Sequence, residues 1–174
     1  HACCHGLHSF LEALEELKQE NNFNPEAIEE IAIETNPSWL KVCNIQEPKT
    51  GLESKFSYKL TAAMSIYGKD TADLGTYNDD ICFDDKMINI RDKVKVIPND
   101  QLSNTQSLIS IKDGSKDIKN KHDLSDKIDQ NILETKIVNK SASLLSKNKS
   151  HEISKMLNAP SESKVSSLVD CLVS

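Results

Sequence analysis

The 174-residue sequence predicts an α+β fold: a small mixed sheet with packed helices, followed by a C-terminal helical segment. Three observations predict it. Two segments in the first seventy residues follow Ser/Thr-x-x-Glu starts with apolar residues at helical spacing. Two short runs near the middle, VKVI and LISI, are rich in β-branched residues and bounded by turn-forming ones. Everything after Leu124 returns to helical spacing. The order that results, α-β-α-α-β-β-α-α, lacks the βαβ repetition of a doubly wound parallel sheet, and no internal repeat is visible.

The first element is a helix over residues 10–20. Ser9 and Glu12 read as a capping box, Phe10, Leu14 and Leu17 form an apolar stripe with Leu11 beside it, and Asn21, Asn22 and Asn24 end it. Glu12, Glu15, Glu16 and Lys18 are expected to face water. In AIEEIAIET, Ala27, Ile28, Ile31 and Ile33 suit a helical turn and then a strand. Residues 36–51 read as a loop broken by Pro37, Pro48 and Gly51, with Trp39 and Leu40 pinning it to the core.

Thr50 and Glu53 form a second capping box, opening a helix expected to run to Tyr67 and stop at Gly68. Leu52, Phe56, Leu60, Ala63, Met64 and Tyr67 share its inner face. TYNDDICF and DDKMINIRD read as short helices. KVKVIPND and LISIKDG read as strands, and the turn-forming residues between them predict an antiparallel hairpin. Residues 113–122 are polar and lysine-rich, suiting a short strand or a loop. The tail carries IDQNILETKIVNKSASLL, HEISKMLN and SESKVSSLVDCLV as helices, with Pro160 before the last and no capping box at Ser161. We divide the chain at residue 123, with 1–123 the α+β domain and 124–174 its helical extension.

Composition excludes several functions. The net charge is -6 and basic residues are scattered among acids, so no stripe for nucleic acid exists. No apolar run is long enough to span a membrane. Five cysteines without regular spacing argue against a disulfide framework and for a reducing, cytoplasmic setting. The chain begins with His1, and nothing there resembles a signal peptide, so we expect a piece of a longer protein.

Three segments, in order, resemble the C-terminal part of the MmgE/PrpD family. ACCHGLHSFLEALEEL resembles its Cys/Gly-rich stretch that ends in His before a helix. EPKTGLESKFSYKLTAAMSIYG resembles its P-x-TGLEAKFS segment. TYNDDICFDDKMINIRDKVKV resembles the stretch that runs from an aromatic residue through a short helix to a strand. The strand and turn ISIKDG and the helix start LETKI continue the order over nearly the whole chain. The family includes 2-methylcitrate dehydratase and cis-aconitate decarboxylase. The resemblance therefore implies a lyase that acts on a small di- or tricarboxylate without a cofactor. It also implies a homodimer and an N-terminal helical domain, absent here, that supplies an Asp-Asp motif. Asp79-Asp80 and Asp84-Asp85 sit too late in the order to be that motif.

Within this frame His8 is the candidate catalytic residue. It precedes the expected cap, where free N–H groups favour anions and a neutral imidazole, as proton transfer beside a carboxylate requires. A surface histidine is the competing reading from the residues alone. Gly6 would let backbone approach a substrate. Cys4 and His5 are candidates for the same wall, although a buried small thiol and an exposed histidine are the readings the residues favour. Cys3 shares the thiol reading. Lys55 can offset a substrate carboxylate and Ser57 can donate a hydrogen bond, against a solvated lysine and a helix-edge serine. The family commonly has Tyr where Leu60 stands, and Tyr58 lies about 160° away around a helix.

A second function class stays open: a stand-alone, non-catalytic domain that binds a protein partner or a metal through its N-terminus. His1, Cys3, Cys4, His5 and His8 offer ligand types for Zn²⁺ or Cu⁺. Against it, no second ligand pair recurs at zinc-finger spacing, and adjacent cysteines serve one tetrahedral ion poorly. No metal is therefore assigned, and His122 and His151 receive no role.

Overall fold

The computed structural model describes residues 1–114, 116–159 and 164–173. The chain divides into two compact units, one made of His1–Thr71 with Gly75–Asp126, the other of Ala72–Leu74 with the chain from Lys127 on.

The first unit is an α+β fold around a four-stranded mixed sheet, with strands in the order β2-β1-β3-β4. Strand β1 (Ile28–Thr35) is central. It runs parallel to β2 (Val94–Pro98), with Ile31 opposite Val94. It runs antiparallel to β3 (Gln106–Asp113), with Ile33 opposite Ile109. The hairpin expected between VKVI and LISI does not form, because β1 lies between them. The reason is burial: Ile28, Ile31 and Ile33 are almost wholly enclosed, so β1 gains most by pairing on both edges. In β2, the exposed Lys95 and the terminal Pro98 suit an outer strand. The 99–105 connection spans the end of β1, where the Asn99 amide donates to the Thr35 carbonyl and Asn36 Nδ2 to the Leu102 carbonyl.

The actual hairpin joins β3 to β4 (Lys116–Asp123), with Gly114 at φ 60° in the connection. The lysine-rich stretch is thus a strand. Its charges cover the outer edge of the sheet, which discourages edge-to-edge pairing with other chains.

Helix α1 (His8–Glu20) buries Phe10, Leu11, Leu14 and Leu17 against the sheet, as the stripe predicts. Its start differs from expectation. The chain enters through a 3-10 turn, His5–Leu7, so the Leu7 and His8 amides already donate to the carbonyls of Cys4 and His5. Backbone does the capping, and Ser9 lies one position inside the helix, buried, with its hydroxyl against that of Ser107. The charged face is also drier than expected. Lys18 Nζ reaches Glu15 Oε1 at 2.9 Å and the Ser65 carbonyl at 2.8 Å. Glu16 takes hydrogen bonds from Asn120 (2.7 Å) and pairs with His122 (2.8 Å) on β4.

The loop after β1 contains a short helix, α2 (Pro37–Leu40), where Asn36 caps the Ser38 amide and Pro37 opens the turn. Trp39 pins the loop as expected, its Nε1 donating to the Asn104 carbonyl at 2.8 Å. Next, Thr50 caps α3 (Gly51–Ser54), but the single helix expected to Tyr67 is broken. Residues 55–57 leave helical geometry, and Ser57 becomes the cap of a second helix, α4 (Tyr58–Ile66), accepting from the Leu60 amide at 3.2 Å. Two competent caps seven residues apart compete with one continuous helix, and side chain–backbone bonding wins locally. α5 (Asp85–Arg91), capped by Asp84, packs on α4 and leads into β2.

In the second unit, α6 (Gln130–Leu145), α7 (Lys147–Asn158) and α8 (Val165–Val173) follow the predicted helical tail. Pro160 and Ser161 lie outside the described residues. Ser146, between α6 and α7, has φ 81° and ψ 156°, a region essentially reserved for glycine. Ser146→Gly is therefore expected to stabilise this unit by about 1 kcal/mol, read as an upward shift in its thermal unfolding midpoint. Among the described residues, no helix is long and apolar enough to cross a membrane.

Candidate active site

The residues singled out at the N-terminus converge on the entrance to α1. His8 is the first residue of that helix and is half-buried. Its Nε2 lies 3.2 Å from the Cys3 carbonyl. A carbonyl only accepts, so Nε2 carries the proton and Nδ1 carries the lone pair. The rings of His1 and His5 stand edge-on to His8, with centroids 5.4 and 5.2 Å away. His1 is anchored in turn, with Nδ1 2.6 Å from Thr71 Oγ1 and Nε2 3.4 Å from Glu12 Oε1.

Partial burial among these neighbours lowers the His8 pKa to about 4. The ring is thus a neutral base at neutral pH. The unfolded chain binds a proton near pH 6.5 and the folded chain only near 4, so between those values unfolding takes up a proton. Stability from this group is complete above about pH 6.5 and lost as pH falls toward 4. The full shift would be worth about 3 kcal/mol; solvent screening of a half-exposed ring reduces that to about 2 kcal/mol. Denaturant titrations between pH 7 and pH 4 should show this loss, and His8→Gln should flatten the profile.

The turn that carries His8 is held from below. Gly6 is buried, and a Cβ there would lie 2.5 Å from the Trp39 ring and 2.9 Å from Cys43 Sγ. The missing side chain lets this backbone pack closely against Trp39. The Gly6 carbonyl accepts a 2.7 Å hydrogen bond from the Tyr58 hydroxyl, which also lies 3.1 Å from Thr35 Oγ1. Tyr58 is fully buried and stacks obliquely on Phe10, and burial pushes its hydroxyl far above the ordinary tyrosine range. Tyr58→Phe should cost about 2 kcal/mol, because it strands the Gly6 carbonyl and the Thr35 hydroxyl. Equilibrium urea unfolding measures it.

The thiols read as structural. Burial pushes Cys3 up to about 11, with the Tyr77 hydroxyl pulling the other way, and Cys43 up to about 12. Neither is a thiolate at neutral pH. Cys4 is half-buried, and its amide donates to the Lys55 carbonyl at 3.0 Å, tying the two family-like segments together. His5 is the exposed member of the group, its ring 6.2 Å from that of Trp39. Among the described residues, no group of three or more His, Cys, Asp or Glu side chains is placed to hold a metal ion.

Lys55 and Ser57 take different places. Ser57 is fully buried and its hydroxyl caps α4, which commits it to the fold. Lys55 is half-buried, and its Nζ stands 5.6 Å from the centroid of the Tyr77 ring, over its face. The Tyr77 hydroxyl donates to the Thr71 carbonyl at 2.9 Å, beside the Thr71 hydroxyl that meets His1. His8 reaches Cys3, and Lys55 holds Cys4. The Lys55 backbone carbonyl and the His8 ring therefore meet one two-residue stretch of backbone, while the Lys55 ammonium lies over Tyr77. The structure gives Tyr58 and Tyr77 places at this turn that their sequence positions do not announce. Both lie within the family-like segments, but Gly6 and Thr35, the partners of Tyr58, and Lys55, which stands over Tyr77, lie far from them in the chain.

The family model described as the MmgE/PrpD C-terminal domain matches residues 1–159. No curated protein matches the chain.

Proposed function

The chain belongs to the MmgE/PrpD C-terminal domain family, and from that premise we propose that it is the C-terminal domain of a cofactor-independent lyase acting on a small di- or tricarboxylate. The reaction is dehydration of 2-methylcitrate or decarboxylation of cis-aconitate. The observation that supports this reading is a neutral His8, its tautomer set by the Cys3 carbonyl, on a turn whose Cys4 amide is held by the backbone carbonyl of Lys55.

Dehydration takes a proton from the carbon next to a carboxylate, which needs a base, and its hydroxyl leaves with a proton as water. Decarboxylation releases CO2 and puts a proton on the carbon left behind, which needs an acid. Both need a cationic clamp. In this reading His8 Nδ1 accepts or returns the proton, and Lys55 binds a substrate carboxylate by a charge-assisted hydrogen bond. Cys4, His5 and Gly6 form the turn that borders the substrate. An N-terminal helical domain supplies the facing wall, and the complete enzyme works as a cytoplasmic homodimer.

The test joins this chain to an N-terminal helical domain of the family and assays cis-aconitate and 2-methylcitrate. We expect turnover of one acid by the joined protein and none by the isolated chain. If the joined, folded protein turns over neither acid, the proposal fails.

A further inference from the structure

Tyr77 stands apart from every role assigned so far, yet three features fix its ring under Lys55. Its hydroxyl is tied to the Thr71 carbonyl at 2.9 Å, and its side chain is almost wholly buried. Its backbone lies against Gly51, the first residue of α3, so closely that a Cβ there would overlap the Tyr77 carbonyl. Asp79 Oδ1 accepts the Gly51 amide at 2.7 Å and clamps the same junction from the other side. Lys55 sits at the opposite end of α3, at its C-cap. The one-turn helix is therefore a short lever. Its first residue rests on the backbone of Tyr77, and its last places an ammonium over the ring of Tyr77.

An ammonium on a ring face is attracted by the ring quadrupole, while its N–H groups that point away from the ring stay available. Lysine alone is a flexible four-carbon stem with a large rotamer entropy to lose on binding. A ring that already holds the ammonium removes part of that loss.

We propose that Tyr77 is the positioning residue for Lys55, holding its ammonium in place for one carboxylate of a multiply charged organic acid. This rests on the lyase reading above. Tyr77 acts on affinity for the carboxylate and not on the proton transfer, so its removal should raise KM and leave kcat nearly unchanged.

The experiment uses the full-length enzyme containing the N-terminal helical domain. Position 77 is varied through Tyr, Phe and a ring-fluorinated Phe, which keep size and shape while weakening the ring quadrupole stepwise. Tyr77→Phe keeps the ring face and should hold KM within about twofold, whereas the fluorinated ring should raise KM about fivefold at constant kcat. Lys55→Met should raise KM by tenfold or more, and in that background fluorination should have no further effect. Titration with tricarballylate, a tricarboxylate without the hydroxyl lost in dehydration or the double bond of cis-aconitate, gives the same ranking without turnover. A KM that ignores fluorination, or one that responds equally in the Lys55→Met background, overturns the role of Tyr77 while leaving the lyase reading intact. Absence of both turnover and tricarballylate binding in the wild-type enzyme overturns the two together.

Discussion

Gly51→Ala is expected to destabilise the first unit by about 3 kcal/mol. The new methyl would overlap the Tyr77 carbonyl oxygen and stand 2.8 Å from Asn78 Cα, both of them backbone. Backbone cannot turn away as a flexible side chain can. The strand of chain carrying residues 77–79 would have to retreat, and the 2.7 Å bond from the Gly51 amide to Asp79 would stretch with it. An ordinary surface Gly→Ala change is worth only about 1 kcal/mol in either direction. A urea midpoint that moves by less than that amount would show that the junction is soft. Gly68, at φ 69° with open space around it, gives a comparison of another kind, since only backbone conformation is at stake there. The same Gly51 variant should raise KM in the full-length enzyme, because the retreat takes the Tyr77 ring out from under Lys55.

How far the sequence alone leads depends on the distance over which each interaction acts. The stripe Phe10-Leu14-Leu17 needs only the helical repeat, and it is buried as expected. The Thr50 cap is a three-residue signal, and it forms. Ser9 carries the same signal and fails, because whether the chain enters α1 through a 3-10 turn is decided by the Cys4–Lys55 backbone bond and by Trp39 packing on Gly6. The break at residues 55–57 follows the same logic: Ser57 sat in view as a capping type, but the favourable periodicity through Leu60 and Met64 concealed it. The β2–β3 hairpin was misread because adjacency in sequence stood in for adjacency in the sheet, and the strand that intervenes is encoded sixty residues earlier.

The site shows the same division. His8 stood out through the local cluster HACCHGLH, and His1 and His5 do gather around it. Its lowered pKa and its tautomer depend on burial and on the Cys3 carbonyl, and neither has a sequence signature. Tyr58 was set aside because it faces away from position 60. Facing away is what lets it reach down to Gly6 and Thr35 beneath the histidine turn.

His8→Ala in the full-length enzyme is expected to lower kcat by about a factor of 10² to 10⁴, the usual contribution of a positioned acid or base. Its effect on KM should be small if, as proposed, Lys55 holds the carboxylate. His8→Asn and His8→Gln sharpen the test. They approximate the ring's size and can still donate to the Cys3 carbonyl, but they offer no base. Their kcat should match that of His8→Ala if proton transfer is lost, and should recover toward wild type if only packing was lost. The pH profile carries the sign. A base that burial holds below the ordinary histidine range is unprotonated throughout the neutral range, so kcat/KM should be flat through neutral pH and fall only on the acid side. An inflection near 6.5 would mean that His8 titrates as an ordinary exposed histidine, and the role given to its buried neighbours would go with it.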